Sequence, residues 1–293
     1  MKKNTALILS GGGAKGAFQC AAEKYAREVK GYRWDLIAGV SVGALNGAML
    51  AMQKYDRLFE IWNTVSNDQV YTGGFNLLSA LRLLFGARSF YGNDPLKKLL
   101  ARELEIDKLT TDLRIGAVSL LTGEYSQFTR HAPNLAGAIL ASTVMPIIWT
   151  PVDISPQFRC MVDGGLRNIS PIGDVLDSDP DEIVIINSYP ENPGALEKPP
   201  QDILKIGVRT LDLMLNELFL SDMREFLKLN QLVLQARQQG VTLLNPGSDR
   251  PLKYYDYKLI EPLAPLDDTL DFSQPSVQRS LKAGWERARD ALG

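Results

Sequence analysis

The sequence predicts an α/β protein with three layers, α/β/α, around a mainly parallel sheet. Three observations carry that reading. "TALILS" (5–10), "WDLIAGV" (34–40) and "EIVIINSY" (182–189) are short, nearly continuous apolar runs, the pattern of strands covered on both faces. Segments with apolar residues three and four apart separate them, as helices require. Strand, turn and helix also recur twice in the first fifty residues, each time through a glycine-rich turn.

The elements follow in order. "TALILS" is a buried strand, and "AKGAFQCAAEKYAREV" (14–29) the helix after it. "WDLIAGV" is a second strand, and "SVGALNGAMLAM" (41–52) starts a helix abruptly, with small residues where it must lie close to the sheet. Residues 55–110 read as mostly helical, broken at "YTGGFN" and "YGNDP"; Asp94-Pro95 is a helix start, with aspartate as cap and proline at the first position. "DLRIGAVSLLTGEYSQFT" (112–129) is a hairpin turning at Thr122-Gly123, and "NLAGAILAST" (134–143) a helix. "FRCMVDGGLRNISP" (158–171) is a strand running into another glycine turn. After the buried strand at 182–189 come a proline-rich loop (190–200), one or two amphipathic helices (201–239), strands at "VTLLNP" and "YKLIEPL", and a closing helix at 275–292. No repeat or long linker divides the chain, so one domain over 1–293 is expected.

Composition bounds the function. A formal charge of −2 over 293 residues argues against nucleic acid, which needs a basic surface, and against strong attraction to anionic lipid. The two cysteines, Cys20 and Cys160, are expected as free thiols in a reducing compartment, which makes the expected location cytoplasmic. Lys2 and Lys3 before "ALIL" hint at a signal peptide, but Gly-Gly-Gly and Lys15 cut the apolar run short. No window reaches the ~18 apolar residues of a membrane span, so any membrane contact is expected to be peripheral.

The stretch "LSGGGAKGAF" (9–18) is built to hold negative charge. A phosphate loop would need Lys and Ser or Thr after Gly16, where Ala17 and Phe18 stand. A dinucleotide fingerprint does fit Gly11, Gly13 and Gly16, but its acidic partner belongs at the end of the next strand, and Asp35 stands at the start. A nucleotide-binding oxidoreductase is therefore the alternative reading. The second glycine turn, "GVSVG" (39–43), has the form of a nucleophile elbow between strand and helix, with Gly39 and Gly43 flanking Ser41. The only histidine, His131, sits in the polar "TRHAPN" and reads as a solvated surface residue. The other base for Ser41 is Asp163 in "VDGGL", a strand-end carboxylate before Gly164 and Gly165; its bland reading is a simple turn. Acyl transfer would unite the glycine turns: nucleophile, base, and backbone N–H donors of the 11–16 loop for a transient oxyanion.

Taken together, "GGGAKG" (11–16), "GVSVG" (39–43) and "DGG" (163–165), in that order, resemble the patatin-like phospholipase family. "AILASTVMP" (138–146), the continuation "DGGLRNISP" with Asn168 and Pro171, and "LIEPLAPL", "LDF" and "AGWERARDAL" near the C-terminus extend the likeness over nearly the whole chain. The resemblance implies a serine–aspartate dyad lipid acyl hydrolase of the phospholipase A or lysophospholipase type, acting without metal or cofactor. In it Ser41 is nucleophile and Asp163 base. Gly11, Gly12 and Gly13 form the oxyanion loop, and Lys15 takes the place of that loop's basic residue. The segments 55–110 and 201–239 match least, and "ISP" departs from a more asparagine-rich stretch. The apolar faces of "LLSALRLLF" (77–85) and "LDLMLNELFL" (211–220) are expected in the core, or else as a lid or lipid-docking face. Lipid is the expected partner. A catalytically silent lipid-binding module is a third reading, against which the intact serine, aspartate and turn glycines count.

Overall fold

The computed structural model describes residues 3–72, 91–92, 94–146, 148–195, 199–247 and 249–293. Seven strands form one sheet: β1 (Thr5–Leu9), β2 (Leu36–Gly39), β3 (Asp112–Ser119), β4 (Tyr125–Thr129), β5 (Met161–Asp163), β6 (Glu182–Ile186) and β7 (Asp256–Ile260). The order is β4-β3-β2-β1-β6-β7, with β5 pairing β3 from the side. The five strands β3, β2, β1, β6 and β7 run parallel, whereas β4 and β5 both run antiparallel to β3.

The helices are α1 (Gly16–Glu28), α2 (Val42–Ala51), α3 (Tyr55–Thr64), α4 (Asn67–Val70), α5 (Asp94–Glu103), α6 (Leu135–Ser142), α7 (Gly173–Leu176), α8 (Ile203–Gln238) and α9 (Gln274–Leu292). Strand alternation sorts the core into two layers. Leu7 and Leu9 of β1 and Ile37 of β2 pack with α1, α2, α3, α6 and α9 on one face. Ala6 and Ile8, with Leu36 and Ala38, pack with α7 and α8 on the other. The three-layer arrangement is as the sequence predicts.

One detail differs and two are sharpened. "VTLLNP" forms no strand; only Leu244 bridges to Pro251, since neither face of that run is buried. Residues 201–239 form one continuous helix, capped by the Asp202 carboxylate, which accepts the Lys205 N–H at 2.8 Å. In 211–220, Phe219 and Asn216 are buried but Leu213 and Met214 are exposed, so that segment is core on one side only. The apolar run at 77–85 lies outside the described residues.

Candidate active site

The β2 strand ends at Gly39 and α2 begins at Val42, so the chain reverses within three residues. That forces Ser41 to φ 55, ψ −130, outside the favourable regions for a residue with a side chain. Hydrogen bonds lock the turn: Gly43 N donates to Val40 O at 2.8 Å, Ala44 N to Ser41 O at 3.0 Å, and Ser41 N to the Ser142 Oγ at 2.9 Å. The flanking glycines are dictated by space. A Cβ at Gly39 would lie 2.3 Å from Gly43 O, and one at Gly43 2.3 Å from Leu9 O, both backbone atoms.

Asp163 arrives from another direction. β4 occupies one edge of β3 as far as Val118, so β5, paired at Ala117–Ser119, takes the other edge, the one β2 leaves free after Ile115. Gly39 is opposite Ile115 and Asp163 opposite Ala117, two residues or roughly 7 Å apart along one strand. The antiparallel entry of β5 thus delivers its last residue to the carboxyl end of β2. The Ser41 side chain and the Asp163 carboxylate line the same cavity, and Asp163 Oδ1 accepts the Gly165 N–H at 2.8 Å. Burial pushes the Asp163 carboxyl up to about 6, even though the Ser41 hydroxyl and the Gly165 N–H pull it down. A Cβ at Gly164 would sit 2.4 Å from Gly116 O, so this turn too is pressed against the sheet.

The glycine loop after β1 lies above this pair. A Cβ on Gly11 would come within 3.1 Å of Ser41 Cβ. The expectation that all three glycines offer free donors needs correction. Gly11 N–H is committed to Ile169 O at 3.0 Å. The N–H groups of Gly12 and Gly13, at φ 147 and 55, have no acceptor among the described residues. Nor does Val42 N–H, the first amide of α2, which sequence reasoning passed over although a helix start always leaves amides unpaired. Lys15 is buried and turned from the serine. Its Nζ meets Asp212 Oδ1 of α8 at 3.2 Å and lies 4.4 Å from the centre of the Tyr189 ring, so it clamps the loop to the long helix. Gly16 packs against Val42 and Trp62.

Beneath the loop runs a fully buried polar network that the sequence did not announce. Gln19 Nε2 donates to Ser10 O at 2.6 Å and to Ser188 Oγ at 3.0 Å. Asn46 Nδ2 donates to Gly16 O and to Gln19 Oε1, each at 3.0 Å, and Trp62 Nε1 donates to Asn46 Oδ1 at 2.9 Å. It ties α1, α2 and α3 to the loop, and with Ser142 under the elbow it fixes Ser41 relative to the unpaired amides. The only sequence signal was a polar residue inside an apolar helix, Asn46 in "SVGALNGAMLAM".

A cavity of about 100 Å³ opens on Ser41, Asp163, Gly13 and Val42. Its further walls are mostly apolar, among them Met49, Leu58, Leu100, Trp149 and Phe272, with Asn46, Glu103, Thr143 and Thr269 the polar exceptions. The remaining predicted residues lie elsewhere. His131 is exposed on the turn after β4. Asp35 accepts the Thr5 N–H at 3.1 Å, at the amino end of β1, opposite the glycine loop, which removes the acidic partner a dinucleotide site needs. Cys20 is buried and Cys160 half-buried, and no disulfide joins them. Among the described residues no three metal-ligating side chains cluster, and no helix is long and apolar enough to cross a membrane.

A three-layer α/β/α sheet with a serine on a strained elbow at its carboxyl edge is thus the class the coordinates define. The chain belongs to the patatin-like phospholipase family, whose family model matches residues 7–176; members of that family are lipid acyl hydrolases. Among solved structures, VipD from Legionella pneumophila matches at 13% identity and TM-score 0.50, covering 100% of this chain and 67% of that one, a likeness of fold. The ExoU–SpcU complex from the type III secretion system of Pseudomonas aeruginosa matches more loosely, at 19% identity and TM-score 0.31 over 75% of this chain and 52% of that one. No curated protein matches the sequence.

Proposed function

We propose that the protein hydrolyses the acyl ester bonds of phospholipids or lysophospholipids through a Ser41–Asp163 dyad. The observation that carries this reading is that the two side chains share the wall of one mostly apolar cavity, where the Ser41 hydroxyl lowers the proton affinity of the buried Asp163 carboxyl. In the reaction, Ser41 Oγ attacks the ester carbonyl and its proton passes to the Asp163 carboxylate. The carbonyl oxygen, now an anion, takes hydrogen bonds from the N–H groups of Gly12 and Gly13, with Val42 N–H within the same pocket. Each such donor contributes roughly 3 kcal/mol to the transition state. Collapse expels the alcohol, which receives the proton from Asp163. Water then adds to the acyl-enzyme, giving its proton to Asp163, and as the fatty acid leaves Asp163 returns that proton to Ser41 Oγ, restoring both groups. The acyl chain occupies the apolar walls from Met49 to Leu100.

An active-site phosphonate should label the wild type and leave Ser41→Ala unlabelled. Equal labelling of both proteins would remove Ser41 from the role. Release of fatty acid from mixed lipid vesicles by wild type and not by Ser41→Ala identifies the lipid and the ester position.

A further inference from the structure

A second cavity, of about 710 Å³, lies on the opposite face of the sheet, between α8, the 167–177 segment and the 245–255 segment. One short stretch of chain belongs to both sites. Asn168 and Ser170 line the second cavity. Ile169, between them, packs against the glycine loop of the first: its carbonyl accepts the Gly11 N–H at 3.0 Å. Its Cδ1 lies 2.6 Å from where a Gly11 Cβ would stand and 2.8 Å from where a Gly165 Cβ would stand. Anything that shifts residues 168–170 from the second cavity therefore shifts the contact holding the glycine loop against the aspartate turn.

The cavity holds polar groups without partners. Ser170 is 1% exposed and its Oγ makes no hydrogen bond. Asp222 and Glu225, one turn apart on α8, have no hydrogen bond or ion pair among the described residues. Burial and the charge of Glu225 both push the half-buried Asp222 carboxyl up, with nothing opposing them. From the other walls come Arg250, whose guanidinium has no partner among the described residues, and Arg167, which donates one Nη to Gly123 O at 2.7 Å. Phe226, Val233 and Leu252 supply apolar surface between them. Asp177 and Lys253 also line the cleft but are already paired, with Arg114 and Asp179; an anion alone would meet the carboxylates of Asp222 and Glu225, and a cation alone would meet the guanidinium groups of Arg250 and Arg167. A ligand that carries both charges a few ångströms apart satisfies both walls.

We propose that this cleft is a second binding site, for a zwitterionic phosphodiester head group of the phosphocholine type, and that Ile169 carries its occupancy to the glycine loop. The choice of head group rests on the lipid reading of the catalytic site; the charge pattern of the cleft does not. The ammonium lies against Asp222 and Glu225, and the phosphate against Arg250 and Arg167. The same head group comes from an intact lipid or from its water-soluble deacylated product.

The test is calorimetric titration of Ser41→Ala, which cannot turn over, with glycerophosphocholine. Saturable binding is expected, weakened roughly tenfold or more in Arg250→Gln and in the Asp222→Asn, Glu225→Gln double variant. Glycerol 3-phosphate, which lacks the ammonium, should bind weaker by a similar factor. Unchanged thermal melting of the charge variants shows that they fold. Competition by phosphatidylcholine vesicles, and none by phosphatidylglycerol vesicles, assigns the head group to a membrane lipid; binding untouched by either assigns it to the soluble product. In the wild type, glycerophosphocholine should change the rate on a soluble short-chain ester, and should not in Arg250→Gln. No saturable binding, or binding undiminished by the charge variants, would overturn the site. A protein with no esterase activity would sink the lipid reading alone, since the titrations stand without turnover.

Discussion

The two turns that meet at the active site are held in different ways. The nucleophile turn keeps Ser41 at φ 55, a conformation the residue adopts only because backbone on both sides leaves no other path. The aspartate turn is relaxed: Asp163 has φ −49, ψ 128, and its constraint is electrostatic, a buried carboxylate held by the Gly165 N–H. Strain positions the serine; desolvation tunes the aspartate. A lesion in one turn should therefore register as lost structure, and a lesion in the other as a changed proton affinity.

The largest effect is expected at the elbow. Gly43→Ala puts a Cβ 2.3 Å from Leu9 O, a backbone atom that cannot retreat, and should destabilise the protein by several kcal/mol or prevent folding, read by thermal or urea unfolding. In the other turn, the Cβ of Gly165→Ala meets the end of the Ile169 side chain at 2.8 Å and Asp163 Oδ1 at 3.0 Å. That variant should fold, at a cost of about 1 kcal/mol, with turnover reduced because the carboxylate is displaced. Equal losses of stability in the two variants would erase the contrast.

Next comes Asp163 itself. Its carboxyl holds a proton up to about pH 6, so turnover should fall tenfold per pH unit below that value and level off above it. The same shift has a stability consequence of opposite sense. The folded protein binds this proton more tightly than the unfolded chain, whose value is 3.8, so stability falls as pH rises from 3.8 to about 6 and the loss is complete above. Asp163→Asn should abolish nearly all turnover yet unfold later than wild type at pH 7, by roughly 2–3 kcal/mol, with the difference gone near pH 4. A melting curve for Asp163→Asn that shows no gain at neutral pH would mean that the carboxylate is better solvated than its burial implies.

Much of this site was legible in the residues. Glycine placement announced both turns, because only glycine fits where backbone meets backbone, and the three-layer, mainly parallel sheet followed from apolar runs alternating with helices. What escaped was set by partners far along the chain. Nothing in "GGGAKG" reveals that the Gly11 amide is consumed by Ile169, or that Lys15 faces Asp212, almost two hundred residues on. Ser142 and Gln19 are ordinary helix residues until the fold sets them against Ser41 N and Ser10 O. "VTLLNP" read as a strand because its apolar run has the right length, but no neighbour covers it. The end of a strand can be read locally; what its amides bond to cannot.

A smaller effect isolates the strain at Ser41. Both Ser41→Ala and Ser41→Gly remove the hydroxyl and should be inactive, but alanine keeps a Cβ at φ 55 while glycine does not. Ser41→Gly should be the more stable of the two by about 1 kcal/mol, part of the relief being offset by glycine's greater freedom in the unfolded chain. Identical melting temperatures would place the strain elsewhere.

The smallest expected effect tests whether two residues suffice. His131, the only imidazole in the chain, stands exposed on the turn after β4, and the cavity walls do not include it. With Asp163 taking the serine proton directly, His131→Ala should leave turnover within about twofold and stability within about 0.5 kcal/mol, as surface substitutions do. The pH limb near 6 should also remain, because it belongs to the carboxyl. This last readout matters most, since an ordinary histidine titrates in the same range and a wild-type pH profile alone could be assigned to either group. A limb that moves or vanishes in His131→Ala, with the fold intact, would hand the base to the imidazole and leave Asp163 only to orient it. The contrast between a strained nucleophile and a desolvated base would then fail at its second half.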